Sequence, residues 1–266
     1  MGFLHEFFIN PFEEFYKYRE LIFYQVKAEF KQKHFQRALG PLWWFFEPVL
    51  MAFIFIFLSS ILFRSTFGEH QEIIIIMSVL IWRWFSRSLD NAPSLLATFQ
   101  FELKKTNLPI LPLIFSNVLV ELMFFGFALI VIISGVLISG VHLTANIAYL
   151  PILVILQFVM IVGFVPYLAK YGVLFKDISQ ISWVFVSIWF YLSPGIYPEK
   201  LIPENFHWLY NMNPFATIFP AWRSILIDGT PPNMINLGIW FAVFIPIALF
   251  GLHTIKKSRA EFFKRL

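Results

Sequence analysis

The chain has no cysteine among its 266 residues, which excludes disulfides, thiolate metal sites and cysteine nucleophiles together. Charge is scarce as well: Asp, Glu, Lys and Arg make up 14% of the residues, against about a quarter in soluble domains. No glycine is followed by lysine, so a phosphate-cradling P-loop is excluded, and with it self-supplied ATP hydrolysis by that route. Neither His-Glu-x-x-His nor Gly-x-Ser-x-Gly occurs. The six histidines, His5, His34, His70, His142, His207 and His253, are too scattered to suggest a metal site. No catalytic machinery, bound cofactor, soluble second domain, low-complexity linker or internal repeat is visible.

What the chain has instead is apolar surface. Hydrophobic residues make up 59% and aromatics 20%, with 35 Phe, and the mean hydropathy is +0.72. These values point to an all-α polytopic membrane protein. The opening twenty residues are acidic and aromatic and lack the basic-then-apolar order of a signal peptide, so no cleavage is expected.

The clearest membrane segment is 178–197, which has no Asp, Glu, Lys or Arg. At about 1.5 Å per residue it is long enough to cross a hydrocarbon core of about 30 Å. Further spans are expected at 41–63, 73–96, 110–138, 147–170 and 234–255, giving six within a membrane domain of 41–256. Residues 1–40 precede it and 257–266 form a basic tail. Along 21–35, Ile22, Phe23, Val26 and Phe30 fall close together on a helix with Lys27, Lys31 and Lys33 elsewhere on its surface. That pattern predicts an interfacial amphipathic helix.

Between spans 5 and 6, residues 198–232 carry six prolines, Pro198, Pro203, Pro214, Pro220, Pro231 and Pro232, with Asn213-Pro214 and Asp228-Gly229 as turn signals. Within them, 215–227 is largely apolar, too short to cross, and includes Arg223. A re-entrant helical hairpin is expected here.

Six spans put both termini on one side, and Lys and Arg choose the side. The segments on the terminal side hold Lys17, Arg19, Lys27, Lys31, Lys33, Arg37, Lys104, Lys105, Lys170, Lys176, Lys256, Lys257, Arg259, Lys264 and Arg265, whereas the opposite segments hold Arg64, Lys200 and Arg223. The termini are therefore expected in the cytoplasm and the hairpin outside. The same placement assigns the net charge of +4 to membrane topology rather than to nucleic acid.

Within the second span, Arg83, Arg87 and Asp90 share one helix face at i, i+4 and i+7. Three such charges facing lipid would cost on the order of 8–10 kcal/mol, so they are expected to face protein or water. One reading pairs Arg87 with Asp90, and Arg83 with Glu47 or Glu121 of neighbouring spans. The other makes the arginines a cationic lining for an anionic head group. Trp82, Trp84 and Phe85 in this span, and Trp183, Trp189 and Tyr191 in the fifth, are candidates to line a path for sugar rings; core and lipid-facing roles are the plain alternative. Trp43 and Trp44 suit an interfacial belt without further role.

Several short motifs, in order, resemble the permease subunits of ABC-2 type polysaccharide exporters, which export O-antigen, capsule and teichoic acid. They are Leu39-Gly40-Pro41-Leu42-Trp43-Trp44, Ser116 through Glu121, Phe175-Lys176-Asp177-Ile178, Ser193-Pro194-Gly195-Ile196-Tyr197 and Asn211-Met212-Asn213-Pro214. The resemblance implies a homodimer in the bacterial cytoplasmic membrane with two copies of a separate ATPase that binds the ATP and Mg, and a lipid-linked polysaccharide as substrate. It implies that the connector 98–108, with Glu102, Lys104 and Lys105, couples to that ATPase. It also implies a gating role for the hairpin through Pro198, Asn213, Pro214 and Arg223. Competing readings are a drug or small-lipid exporter of the same superfamily, and a membrane glycosyltransferase using Glu69, Glu72 and His70.

Overall fold

The structure, a computed structural model, describes residues 10–32, 42–62, 69–105, 109–195, 197 and 199–258. Among these no strand occurs. Two short helices, α1 (Asn10–Lys17) and α2 (Arg19–Gln32), precede α3 (Trp43–Leu62), α4 (Gln71–Thr98), the connector α5 (Gln100–Lys105), α6 (Ile110–Ile138) and α7 (Leu150–Leu174). Then come α8 (Ile178–Tyr191), α9 (His207–Asn211), α10 (Phe215–Leu226) and α11 (Met234–Lys257). By length and composition, α6, the Ala145–Leu174 segment containing α7, and α11 can each cross a membrane, and α8 is a shorter apolar helix.

The central element is α4, which packs against α3, α6, α7 and α8 and is buried along most of its length. Pro93 inside it costs a backbone hydrogen bond, and here α7 makes its closest approach. A Cβ built on Gly172 would lie 2.1 Å from the Pro93 carbonyl oxygen and 2.6 Å from its Cα. Without water to drive apolar surfaces together, helices in lipid gain from such close backbone packing, which only a small residue permits.

Helix α11 lies along α7. Its first turn is capped by Asn233, whose Oδ1 accepts from the backbone N–H groups of Ile235 and Asn236, both at 3.1 Å. Lys256 and Lys257 in the last turn complement the helix dipole, and Lys256 also pairs with Glu14 of α1. The two ends of the described chain are thereby joined.

Two expectations change. Helix α2 is not an interfacial helix presenting all four apolar residues to one medium. It packs on α6, burying Ile22 and Val26 and stacking Phe30 on Phe124 at 5.5 Å, while Phe23 is exposed. The reason is angular: 22, 26 and 30 follow the helix repeat, and 23 lies about 100° away. Secondly, α8 has 14 residues and does not reach 197. At about 1.5 Å per residue it is about 21 Å long. It stops because the Ser193 hydroxyl folds back to the Trp189 carbonyl at 2.8 Å and Pro194 cannot extend the ladder.

Replacing Gly172 by Ala forces α7 away from α4 and is expected to lower the stability of the purified protein by about 1–3 kcal/mol. A Cβ at Gly238 of α11 meets nothing within 4 Å, so Gly238→Ala is expected to be neutral or stabilising by up to about 1 kcal/mol. Thermal melts of the two variants side by side check the ranking.

Candidate functional site

Two polar assemblies interrupt the apolar bundle. The first joins α3 to α4. Both arginines of α4 converge on one oxygen of Glu47: Arg83 pairs with Oε1, and Arg87 donates to the same oxygen at 2.7 Å. One turn along α4, the Asn91 amide donates to Glu121 Oε1 of α6 at 3.1 Å. Glu47, Arg83, Arg87 and Glu121, with Trp84, Phe124 and Phe125, line a small cavity of about 30 Å³.

Of the pairings expected from the sequence, Arg83 with Glu47 is formed and Arg87 with Asp90 is not. Arg87 turns to Glu47 instead, and Asp90 Oδ1 is buried without a hydrogen-bond partner among the described residues. Sharing one carboxylate between two cations suits a low-dielectric setting, where each arginine left alone would bear its desolvation cost unrelieved.

The second assembly joins the end of α8 to the start of α10 through Asn213, which is 7% exposed. Its Oδ1 accepts from the Trp189 indole N–H at 3.1 Å and from the Phe215 backbone N–H at 3.0 Å. Its amide donates to Ser193 Oγ at 2.9 Å and to the Leu192 carbonyl at 3.3 Å. One side chain thus satisfies donors and acceptors from both segments, and Pro214 follows it as the N-cap of α10. The Asn-Pro turn signal was visible in the sequence, whereas the reach of Asn213 to Ser193 and Trp189 was not.

The aromatic residues divide. Trp82, Phe85 and Trp189 belong to a packed cluster with Phe215, with Trp82 at 4.5 Å and Phe85 at 5.0 Å from the Phe215 ring. Trp84 stacks on Phe125 at 4.7 Å. Trp82, Trp84 and Phe85 are buried, which makes them core in this conformation, the plain alternative that the sequence left open. Trp183 and Tyr191 of α8 are 55% and 66% exposed. Ile181, Phe185 and Ile188 of the same helix are exposed as well and lie on one face of it. Helix α3 also has an exposed apolar face, at Val49, Phe53 and Phe57.

Within the proline-rich segment, Pro198 lies outside the described residues. Helix α10 buries Phe215, Ile218, Trp222 and Ile225 against the bundle despite Pro220 in its middle. Arg223 lies 3.4 Å from Asp228, and the turn that follows uses Gly229 at φ 64, whose carbonyl accepts from the Asn146 amide at 2.6 Å. Trp240 of α11 donates to Thr217 Oγ1 at 3.0 Å. In α5, Leu103 is buried, Lys104 is exposed and Lys105 sits 4.0 Å from the exposed Phe101 ring. The Glu102 side chain lies outside the described residues.

Polar residues that the sequence did not single out include Asn91 and Gln157. The last is fully buried in α7 and donates to the Ile81 carbonyl of α4 at 2.8 Å. Polar residues inside apolar runs were the signal that would have found them.

Glu47→Ala is expected to strand two arginines and to lower stability by about 2 kcal/mol or more; the full cost of about 3–5 kcal/mol for a buried pair is reduced because Glu47 is 35% exposed. Asp90→Asn is expected to change stability by less than about 1 kcal/mol. The reverse ranking in thermal melts would restore Arg87–Asp90 as the structural pair.

A profile of the family described as ABC-2 type transporter matches residues 20–227. An O-antigen export system permease protein, RfbA, from Klebsiella pneumoniae is 26% identical over 249 residues, covering 91% of this chain and 93% of that protein. The Myxococcus xanthus protein of the same description is 25% identical over 257 residues, covering 96% and 98%. With more than three quarters of its length matched by that profile, and with long apolar helices, the chain is a multi-pass membrane protein belonging to the ABC-2 type transporter family.

Proposed function

We propose that this chain is the permease subunit of an ATP-driven exporter that moves a lipid-linked polysaccharide of the O-antigen kind across the bacterial cytoplasmic membrane. The observation that carries this reading is similarity over more than nine tenths of the chain to permeases whose names specify O-antigen export. The permease itself is non-catalytic. Two copies form the conduit, and two copies of an ATPase subunit bind ATP and Mg and drive it.

In this reading α3, α4, α6, α7, α8 and α11 are the six spans, both termini are cytoplasmic, and the segment 198–232 re-enters the membrane from outside as a gate. The exposed apolar faces of α3 and α8 support a seam between the two copies. The exposed Phe101, Lys104 and Lys105 on α5 support an ATPase docking point, because α5 is held by Leu103 and joins α4 to α6. A push on α5 acts on α4, which is clamped to α3 through Glu47; two discrete arrangements of that clamp would couple the cytoplasmic face to the seam.

Deleting the chain is expected to abolish the surface polysaccharide while its lipid-linked precursor accumulates inside, and an ATPase is expected to co-purify with the tagged chain. Lys104→Glu with Lys105→Glu is expected to leave the permease folded but to reduce stimulated ATP hydrolysis by the purified complex about tenfold. Unchanged surface polysaccharide in the deletion strain would overturn the assignment. Normal stimulation in the double variant would move the docking point away from α5.

A further inference from the structure

Two open cavities lie side by side in the region between the end of α8 and the start of α11, with volumes of about 350 and 440 Å³. Each falls within the size range of small-ligand sites, about 300–1,000 Å³. The first is lined by Tyr197, Glu199, Lys200, Tyr210 and Arg223 over an apolar floor that includes Ile74 and Phe219. The second is lined by Asn211, Asn236 and Trp240, and again by Glu199 and Tyr210. With Pro220, which also lines both, these three shared residues make one cleft of the pair. The Tyr210 hydroxyl donates to Glu199 Oε2 at 3.2 Å, and the Ala216 carbonyl lies 3.5 Å away.

The lining chemistry selects among ligands. A site for a phosphate or a lipid anion would gain nothing from Glu199, and an acyl chain would gain nothing from two asparagines, an arginine and a lysine. A sugar ring presents hydroxyl groups around its edge, which amides, carboxylates and cations bind, and C–H faces that lie on aromatic rings. Tyr197 and Trp240, both partly exposed, supply rings; Asn211, Asn236, Glu199 and Arg223 supply edges.

The rings of Trp82 and Phe85 are buried in the core, whereas in the cleft aromatic, amide and charged side chains meet open volume. We infer that the cleft formed by Tyr197, Glu199, Tyr210, Arg223, Asn236 and Trp240 binds one or two sugar units of the exported glycan on the exit side. This assignment rests on the exporter reading above. It gives the proline-rich segment a second role, as a polar handhold against backward slippage of the polymer between power strokes.

The test uses the complex of this chain with its ATPase in nanodiscs of zwitterionic lipid. The probe is the host cell's own surface polysaccharide, cut to short oligomers and freed of lipid and phosphate, with binding read by saturation-transfer NMR. Wild type is expected to transfer saturation to the oligomers. Glu199→Gln and Asn236→Ala, at exposed positions, are expected to reduce the signal at least fivefold with unchanged melting temperature, and Trp240→Ala to abolish it. Absence of transfer in wild type, or equal transfer in Glu199→Gln and Asn236→Ala, overturns the site. Displacement of the oligomers by glycerophosphoglycerol would make it a lipid head-group site and overturn the saccharide assignment. Surface polysaccharide measured in the same strains separates the two levels: export without oligomer binding removes the cleft assignment alone, whereas full export in cells lacking the chain removes the exporter reading itself.

Discussion

A charged side chain in a bundle this apolar needs a partner, and the architecture around α4 follows from how that need is met. Arg83 and Arg87 each carry a cost of about 2.5–3.5 kcal/mol near a bilayer centre. One carboxylate, Glu47, answers both. Because it stands on α3, the pairing fixes the rotation of α3 against α4. Asn91 and Glu121 tie the next turn of α4 to α6, and Gln157 ties α7 to the Ile81 carbonyl. Helix α4 is therefore held by polar contacts on three sides, with the Gly172–Pro93 approach supplying close packing where Pro93 breaks the helix ladder.

The Asn213 joint applies the same constraint at a chain reversal. Where α8 ends after 14 residues, its last carbonyls and the first N–H groups of α10 need partners. Asn213 supplies several of them, and Ser193 and Trp189 complete the set. The aromatic cluster of Trp82, Phe85 and Phe215 closes over this joint. Rings for which the sequence left path lining and core packing both open serve here as the apolar shell of a hydrogen-bonded corner.

Much of this fold was legible in the sequence because long apolar runs admit few alternatives: the helix expected at 110–138 is α6, and the last expected span lies within α11. The family was legible from short motifs in order. The partner of Arg87 was not, because local spacing favours Asp90 three residues on, while the actual partner lies 40 residues away. Nor was the inward turn of Trp82 and Phe85, since a span with apolar residues on every side does not declare which face meets lipid. The length of α8 was misjudged for a physical reason: composition counts apolar residues, but Ser193 and Pro194 decide where the backbone ladder stops.

The central claim is that Glu47 and Arg83 are coupled across α3 and α4, and a double-mutant cycle measures this directly. Stabilities of the wild type, Glu47→Gln, Arg83→Leu and the double variant, each purified in the same lipid, give the interaction free energy. A favourable coupling of about 1–3 kcal/mol is predicted, with the double variant more stable than the sum of the single losses implies. Strict additivity would mean that the two side chains do not support one another, and the account of α4 as a helix positioned by that clamp would be wrong.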